Sequence, residues 1–330
     1  MEYTIIPGTD FKASRIALGT WAIGGWMWGG TDENESIRTI QTALDQGINV
    51  VDTAPVYGFG RSEEIVGQAI QKYGHRESII LATKCGLEWN QDGTKIVRNS
   101  TPPRIRKEIE NSLKRLKTSY IDLYQIHWPD SLTPYEETGE ILEKLKKEGK
   151  IRAAGVSNFS PKDMDQLRLT CNLATNQPPY NIFERAIEQE IKPYCHKNGI
   201  ALLTYGAICR GLLTGKMDSE TTFPGDDLRN IDPKFKHPHY QEYLQAVKEL
   251  NSFAHEKFDK KIIHLAIRWI LDQGIQIALW GARHPQQLQP VQEIFGWNLS
   301  SEDLAHIDHL LTTNIKNPVG PEFMAPPHRK

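Results

Sequence analysis

Tyr120-Ile-Asp-Leu-Tyr-Gln-Ile-His127-Trp-Pro-Asp130 is a short apolar run that closes on a polar residue, His127. Runs of the same design recur along the chain. Ile48-Asn-Val-Val closes on Asp52, with Tyr57 in the loop just beyond, and Ile79-Ile-Leu-Ala-Thr closes on Lys84. Longer segments of helical period alternate with these runs, the mark of repeated strand-helix units around a parallel sheet. Strands are expected at 16–19, 48–53, 78–84, 121–127, 151–157, 174–177, 200–205 and 276–280. Helical patterns follow near 34–46, 62–73, 102–116, 134–148, 161–169, 186–197, 262–272 and 285–295. Ser160-Pro161 and Thr133-Pro134 read as N-caps followed by proline at the first helical position. Gly47, Gly74, Gly149, Gly199 and Gly274 stand where helices should end. The expected fold is α/β, a (β/α)8 TIM barrel formed by residues 1–330 as a single domain.

Extra pieces lie outside that count. The longest, 206–239, precedes an added helix near 240–258, and another helix near 301–313 follows the eighth unit. Long loops on a barrel's C-terminal face carry binding more often than stability. The tail Asn317–Pro327 is proline-rich yet holds Phe323 and Met324, so it is expected to fold over part of the molecule.

Composition narrows the partners. With 39 basic and 41 acidic residues the net charge is -2, which offers no field for gripping nucleic acid or an anionic membrane. No run approaches the roughly 18 apolar residues that cross a bilayer. Cys85, Cys171, Cys195 and Cys209 are widely spaced without a paired framework and read as free thiols of a reducing compartment, so a cytoplasmic protein is expected.

Strand side chains alternate, and in a barrel every second one points inward. Counting back gives Val50 and Ile48 from Asp52, Ala82 and Ile80 from Lys84, and Gln125 and Leu123 from His127. These rows are mostly apolar below and polar at the last residue, as a packed barrel with a site on its C-terminal rim should be. Tyr57, in Thr53-Ala-Pro-Val-Tyr57-Gly, is close enough to fold back over the same rim. The four residues suit proton transfer. A tyrosine near ~10 is a poor acid unless a positive charge favours its phenolate, which Lys84 would supply. Asp52 would serve as the counter-ion of that lysine, and His127 would orient a carbonyl oxygen for protonation by Tyr57. No side chain supplies a hydride, so this reading of carbonyl reduction requires a cofactor.

Here the chain resembles a known family, the aldo-keto reductases, over essentially its whole length, and most closely their bacterial general-stress-type branch. Gly19-Thr20-Trp21, Asp52-Thr-Ala-Pro-Val-Tyr57-Gly-Phe-Gly-Arg-Ser-Glu63, Ala82-Thr-Lys84 and Gln125-Ile-His127-Trp carry the likeness. It implies Asp52, Tyr57, Lys84 and His127 as the catalytic tetrad and NADPH as cofactor, with NADH the lesser choice. Ser157, Asn158 and Gln177 are similar to positions that hold the nicotinamide carboxamide, and Tyr205 to the aromatic on which that ring stacks. The stretch with Gly206, Ile208, Arg210, Gly211, Leu213 and Lys216 resembles the loop over the pyrophosphate. Gly281, Arg283 and Gln287 resemble the site of the 2'-phosphate, whereas Gln289-Pro290-Val291 departs from the Glu-Asn pair that the family often places against adenine. The resemblance also implies a monomer acting on a small aldehyde or ketone. Trp21, Trp26, Trp28, Trp89 and Trp128, with Tyr57 and His127, are expected around the substrate.

Rival readings are a cofactor-holding regulatory subunit with little turnover, and a lyase using Lys84 as a Schiff-base nucleophile. Other motifs dissolve on inspection. Gly211-Leu-Leu-Thr-Gly-Lys216 is one residue short of a P-loop, Gly58-Phe-Gly60 lacks the third glycine of a dinucleotide fingerprint, and His237-Pro-His239 has no third ligand nearby, so no metal is expected.

Overall fold

The computed structural model describes residues 1–329, in which eight parallel strands close into a barrel in chain order. They are β1 (Ile16–Gly19), β2 (Val50–Asp52), β3 (Ile80–Cys85), β4 (Ile121–Ile126), β5 (Ile151–Ser157), β6 (Leu173–Gln177), β7 (Ala201–Thr204) and β8 (Ile277–Gly281). Around them lie α1 (Glu33–Asp45), α2 (Arg61–Tyr73), α3 (Pro102–Leu116), α4 (Tyr135–Lys147), α5 (Pro161–Leu167), α6 (Ile191–Asn198), α7 (His239–Phe258), α8 (Ile262–Asp272) and α9 (Ser301–Asn314). The fold is the expected (β/α)8 TIM barrel.

Alternation along the strands separates two cores. Val50, Ile80, Ala82, Leu123, Ala153, Leu203 and Leu279 fill the barrel, while Leu18, Val51, Leu81, Cys85 and Ile126 face the helices. One inward row needs a glycine. A Cβ on Gly155 would lie 2.3 Å from Thr175 Oγ1 and 3.1 Å from Gln125 Cγ, so β5 yields its place in the layer to side chains from β4 and β6.

The structure departs from the sequence reading in instructive places. Ile48 packs with the helices, because β2 begins at Val50 and the alternation does not extend back to it. Thr133 does not cap α4. Its hydroxyl donates to Asp130 Oδ2 at 2.7 Å, and Pro134 takes the capping position without a side-chain bond. Ser160 does cap α5, with Asp163 completing a reciprocal capping box. The stretch Pro285–Ile294 winds as a 3-10 helix rather than an α-helix, with Pro290 inside it and unable to donate an amide. Two hairpins were not anticipated. Tyr3–Ile5 pairs with Lys12–Ser14 and sets Ile6, Phe11 and Ala13 against the bottom of the barrel core. Leu87–Trp89 pairs with Ile96–Arg98 on the opposite rim. The turn signals Pro7-Gly8 and Asp92-Gly93 marked both.

Gly155→Ala should destabilise the barrel by about 1–3 kcal/mol, the usual result of overpacking. Thr175 Oγ1 has no hydrogen-bond partner among the described residues, so adding Thr175→Ala should recover most of that loss in denaturant unfolding. Equal losses in the single and double variants would show that the inner layer is not the constraint.

Candidate active site

Closure of the barrel brings the ends of β2, β3, β4 and β6 into one layer. Lys84 Nζ lies 2.6 Å from Asp52 Oδ1, and both side chains are almost wholly buried. The same ammonium donates to the Thr53 carbonyl at 3.0 Å and reaches the Tyr57 hydroxyl at 3.3 Å. Asp52 Oδ2 accepts from the amides of Gln177 at 2.8 Å and Gln125 at 3.2 Å. Thr20 donates its hydroxyl to the Asp52 carbonyl at 2.9 Å, fastening β1 to β2 at the rim. A buried charge pair holds only when its remaining lone pairs and protons are satisfied, and here they are.

Tyr57 is carried by a loop that lies against the loop after β1. A Cβ on Gly24 would stand 2.6 Å from the Tyr57 carbonyl carbon, and one on Gly58 2.2 Å from the Gly24 oxygen, so glycine at both positions permits the contact. Trp21 stacks on the phenol with ring centres 5.8 Å apart, and His127 meets it edge-on at 5.7 Å. Burial, with the Asp52 charge adding to it, pushes the Tyr57 phenol well above its ordinary value. That corrects the expectation that Lys84 would favour the phenolate, since Asp52 balances the lysine's charge and Tyr57 keeps its proton. Burial also lowers Lys84, with Asp52 opposing it, and lowers His127 well below the usual imidazole range, with the Lys84 charge adding. The imidazole is therefore neutral near pH 7.

Two cavities meet at this layer, and Trp21, Tyr57, Tyr205 and Met324 line both. One is a cleft of about 500 Å³ running from Asp52 past Gly206, Ile208 and Gly211 to Gly281, Arg283 and Gln287. Gly19, Thr20, Lys216 and Trp28 line it too, together with Lys261, Arg229, Gln289 and Pro290, which the sequence reading had not assigned. A Cβ at Gly281 would meet nothing within 4 Å, so the cleft is open there. Its length, its basic side chains and its glycine-containing loop suit an extended anionic nucleotide. Arg283 donates through Nη1 to the carbonyls of Trp28 at 2.8 Å and Gly30 at 3.2 Å.

The second cavity, of about 420 Å³, is walled by Trp26, Trp128, Val56, Leu87, Ile96 and the tail residues Phe323, Met324, Pro326 and Pro327. The tail does fold over the rim, where Arg98 binds the Pro326 carbonyl at 2.8 Å. Ser157, Asn158 and Gln177, expected against the cofactor, line this second cavity and not the cleft. Asn158 accepts from the Tyr205 hydroxyl at 2.9 Å and donates to the His127 carbonyl at 3.0 Å.

Two expected residues fall outside both cavities. Leu213 is fully buried in the hydrophobic core away from the cleft. Trp89 packs on Phe59 under the Arg104 guanidinium and lines neither cavity. Arg210 lines the cleft, but its guanidinium is buried against Glu184 and Asp232, so its charge is already balanced. Trp28 belongs to the nucleotide-sized cleft rather than the tail-covered cavity. No cluster of three or more potential metal ligands occurs among the described residues, and no helix there is long and apolar enough to cross a membrane.

Comparison with known proteins adds a family. Residues 15–312 match the pattern described as Aldo/keto reductase family. The chain is 59% identical to aldo-keto reductase YhdN of Bacillus subtilis (strain 168), across 100% of this chain and 99% of that one. It is 38% identical to an NADH-specific methylglyoxal reductase of Escherichia coli (strain K12), covering 89% of this chain and 94% of that one. A solved glycerol dehydrogenase from Gluconobacter oxydans superposes with a TM-score of 0.89 at 53% identity, covering 98% and 99% of the two chains.

Because folding depresses the His127 pKa, the unfolded chain takes up that proton first as the pH falls below about 6.5, and stability declines through that window. Glu108, pushed up to about 7 by burial, works in the opposite sense, gaining its proton first in the folded state. His127→Gln should therefore remove up to about 1.4 kcal/mol of acid-side loss per pH unit relative to the parent. Thermal unfolding midpoints between pH 7 and about 5 test this. Identical slopes in the two proteins would place the folded His127 pKa at its ordinary value.

Proposed function

The chain belongs to the aldo/keto reductase family, and on that premise we propose that it reduces aldehydes and ketones to alcohols with a nicotinamide cofactor, Tyr57 donating the proton. The observation that carries this reading is the contact of Lys84 Nζ with both Asp52, at 2.6 Å, and the Tyr57 hydroxyl, at 3.3 Å, where the two cavities meet. The cofactor, when bound, supplies the hydride that no side chain can. Every other step belongs to the chain.

Neutral His127 can hold the substrate oxygen by hydrogen bonding without competing to protonate it. Tyr57, protonated and hydrogen-bonded to Lys84, donates to that oxygen as it gains negative charge. As the proton leaves, the phenolate that forms lies beside an ammonium already in place, so little reorganisation is required. Asp52 keeps Lys84 charged and fixed, which also argues against a Schiff-base role for that lysine. The walls of Trp26, Trp128 and Phe323 exclude water from the reacting oxygen.

Asn158 and Gln177 would hold the carboxamide, the Tyr205 face the nicotinamide ring, and the Gly206–Gly211 loop with Lys216 and Lys261 the phosphates. NADPH is favoured over NADH because Arg283 engages only Nη1 among the described contacts, leaving the rest of its guanidinium for a 2'-phosphate. The protein is read as a cytoplasmic monomer whose 330 residues act as one barrel domain.

Tyr57→Phe should lower turnover by at least ~100-fold, the scale of a lost general acid, with cofactor affinity nearly unchanged. Near-normal turnover would remove Tyr57 from the role. Arg283→Ala loosens the Trp28–Gly30 loop whichever cofactor is bound, so the ratio of affinities is the informative quantity. NADPH should weaken by at least about tenfold more than NADH in a fluorescence titration; an unchanged ratio would mean that Arg283 does not read the 2'-phosphate.

A further inference from the structure

Behind the cleft lies a group of buried charges that the proposed reaction does not use. Arg210 pairs with Glu184 and, at 2.5 Å, with Asp232. Lys234 Nζ lies 2.7 Å from the same Glu184 oxygen and 3.8 Å from Asp232. All four side chains are at most 4% exposed, and two positive charges balance two negative ones. Burial alone would push Glu184 upward, but Arg210 and Lys234 outweigh it and hold it below the usual carboxylate range.

The quartet joins segments that are distant in sequence. Arg210 belongs to the loop over the cleft, where Cys209, Arg210 and Gly211 all adopt left-handed backbone at φ of 46°, 53° and 93°. Lys234 and Asp232 belong to the long insertion, and Glu184 to the turn after β6. Lys234 also donates to the Gly320 carbonyl at 3.2 Å, at the start of the tail that walls the second cavity. The Arg210 guanidinium stands 5.8 Å from the centre of the Phe323 ring. A buried, mutually balanced set of charges cannot release one member without stranding the others, so it moves as a unit.

We propose that Lys234 is a positioning residue that ties the cleft loop, through Glu184 and Arg210, to the Phe323 wall of the substrate cavity, so that ligands in the two cavities bind cooperatively. This rests on the nucleotide and carbonyl reading of the two cavities. A ligand that shifts the loop carries Arg210 with it, and the shift reaches Gly320 and Phe323 through the quartet. By linkage the effect is reciprocal.

The test uses NADPH with benzyl alcohol as a product-like probe. In the wild-type protein, saturating benzyl alcohol should tighten NADPH by about fivefold or more. Lys234→Met combined with Asp232→Asn keeps the remaining Arg210–Glu184 pair neutral. It should cut that factor to about twofold or less while NADPH alone binds within about threefold of wild type. The aldehyde KM should rise more than kcat falls. A variant that keeps the full factor, or a wild-type protein without coupling, overturns the proposal. Hydrogen–deuterium exchange on the wild-type protein decides the matter even if the variant does not fold. Residues 234–236 line neither cavity and lie apart in sequence from the tail residue Met324 that lines both, yet NADPH should slow the exchange of their amides about fivefold or more. Protection confined to the cleft loop would contradict the tie. Failure of both NADPH and NADH to bind would instead sink the nucleotide reading of the cleft, and the tie with it.

Discussion

The buried ion pair of Lys84 and Asp52 is the constraint around which the rim of the barrel is arranged. A lysine at the end of β3 with no access to water needs a counter-ion within contact distance, and β2 delivers one at 2.6 Å. The second carboxylate oxygen must then be satisfied as well, which explains the glutamine amides converging from β4 and β6. Gly155 follows from the same demand, because a larger residue on β5 would push Gln125 and Thr175 out of the layer. Five strands are thus tuned to one charge pair, and closure in chain order sets them at the same height.

Pair neutrality governs the chemistry. Were Lys84 unpaired, its charge would draw the proton off Tyr57. With Asp52 in contact, burial dominates and the phenol holds its proton. The same burial keeps His127 neutral, so a protonated phenol and a neutral imidazole stand side by side rather than two competing charges.

Much of this was legible in the sequence, because strand alternation and a polar residue at each strand end are local signals. β1, β5, α3 and α8 lie where the pattern put them. The meeting of Asp52, Tyr57, Lys84 and His127 at one rim was readable for the same reason, and Gln125 could have been assigned a partner, since it lies on the inward row two residues before His127. What failed depended on contacts across the chain. Nothing local shows that Arg210, while lining the cleft, will also find Glu184 and Asp232. Nor does the spacing of Leu213 and Trp89 tell whether their side chains face a cavity or the packed interior. Thr133 was misread because Asp130, three residues earlier, offered its hydroxyl a better acceptor than the helix amides offered a donor.

The most direct test follows the absorbance of NADPH and NADH with the wild-type protein and a panel of uncharged aromatic and aliphatic aldehydes, from about pH 6 to 9. A protonated Tyr57 beside the neutralised lysine predicts turnover with at least one aldehyde and no alkaline loss across that range. Tight nucleotide binding without turnover of any carbonyl would contradict the account and leave a cofactor-holding protein in its place.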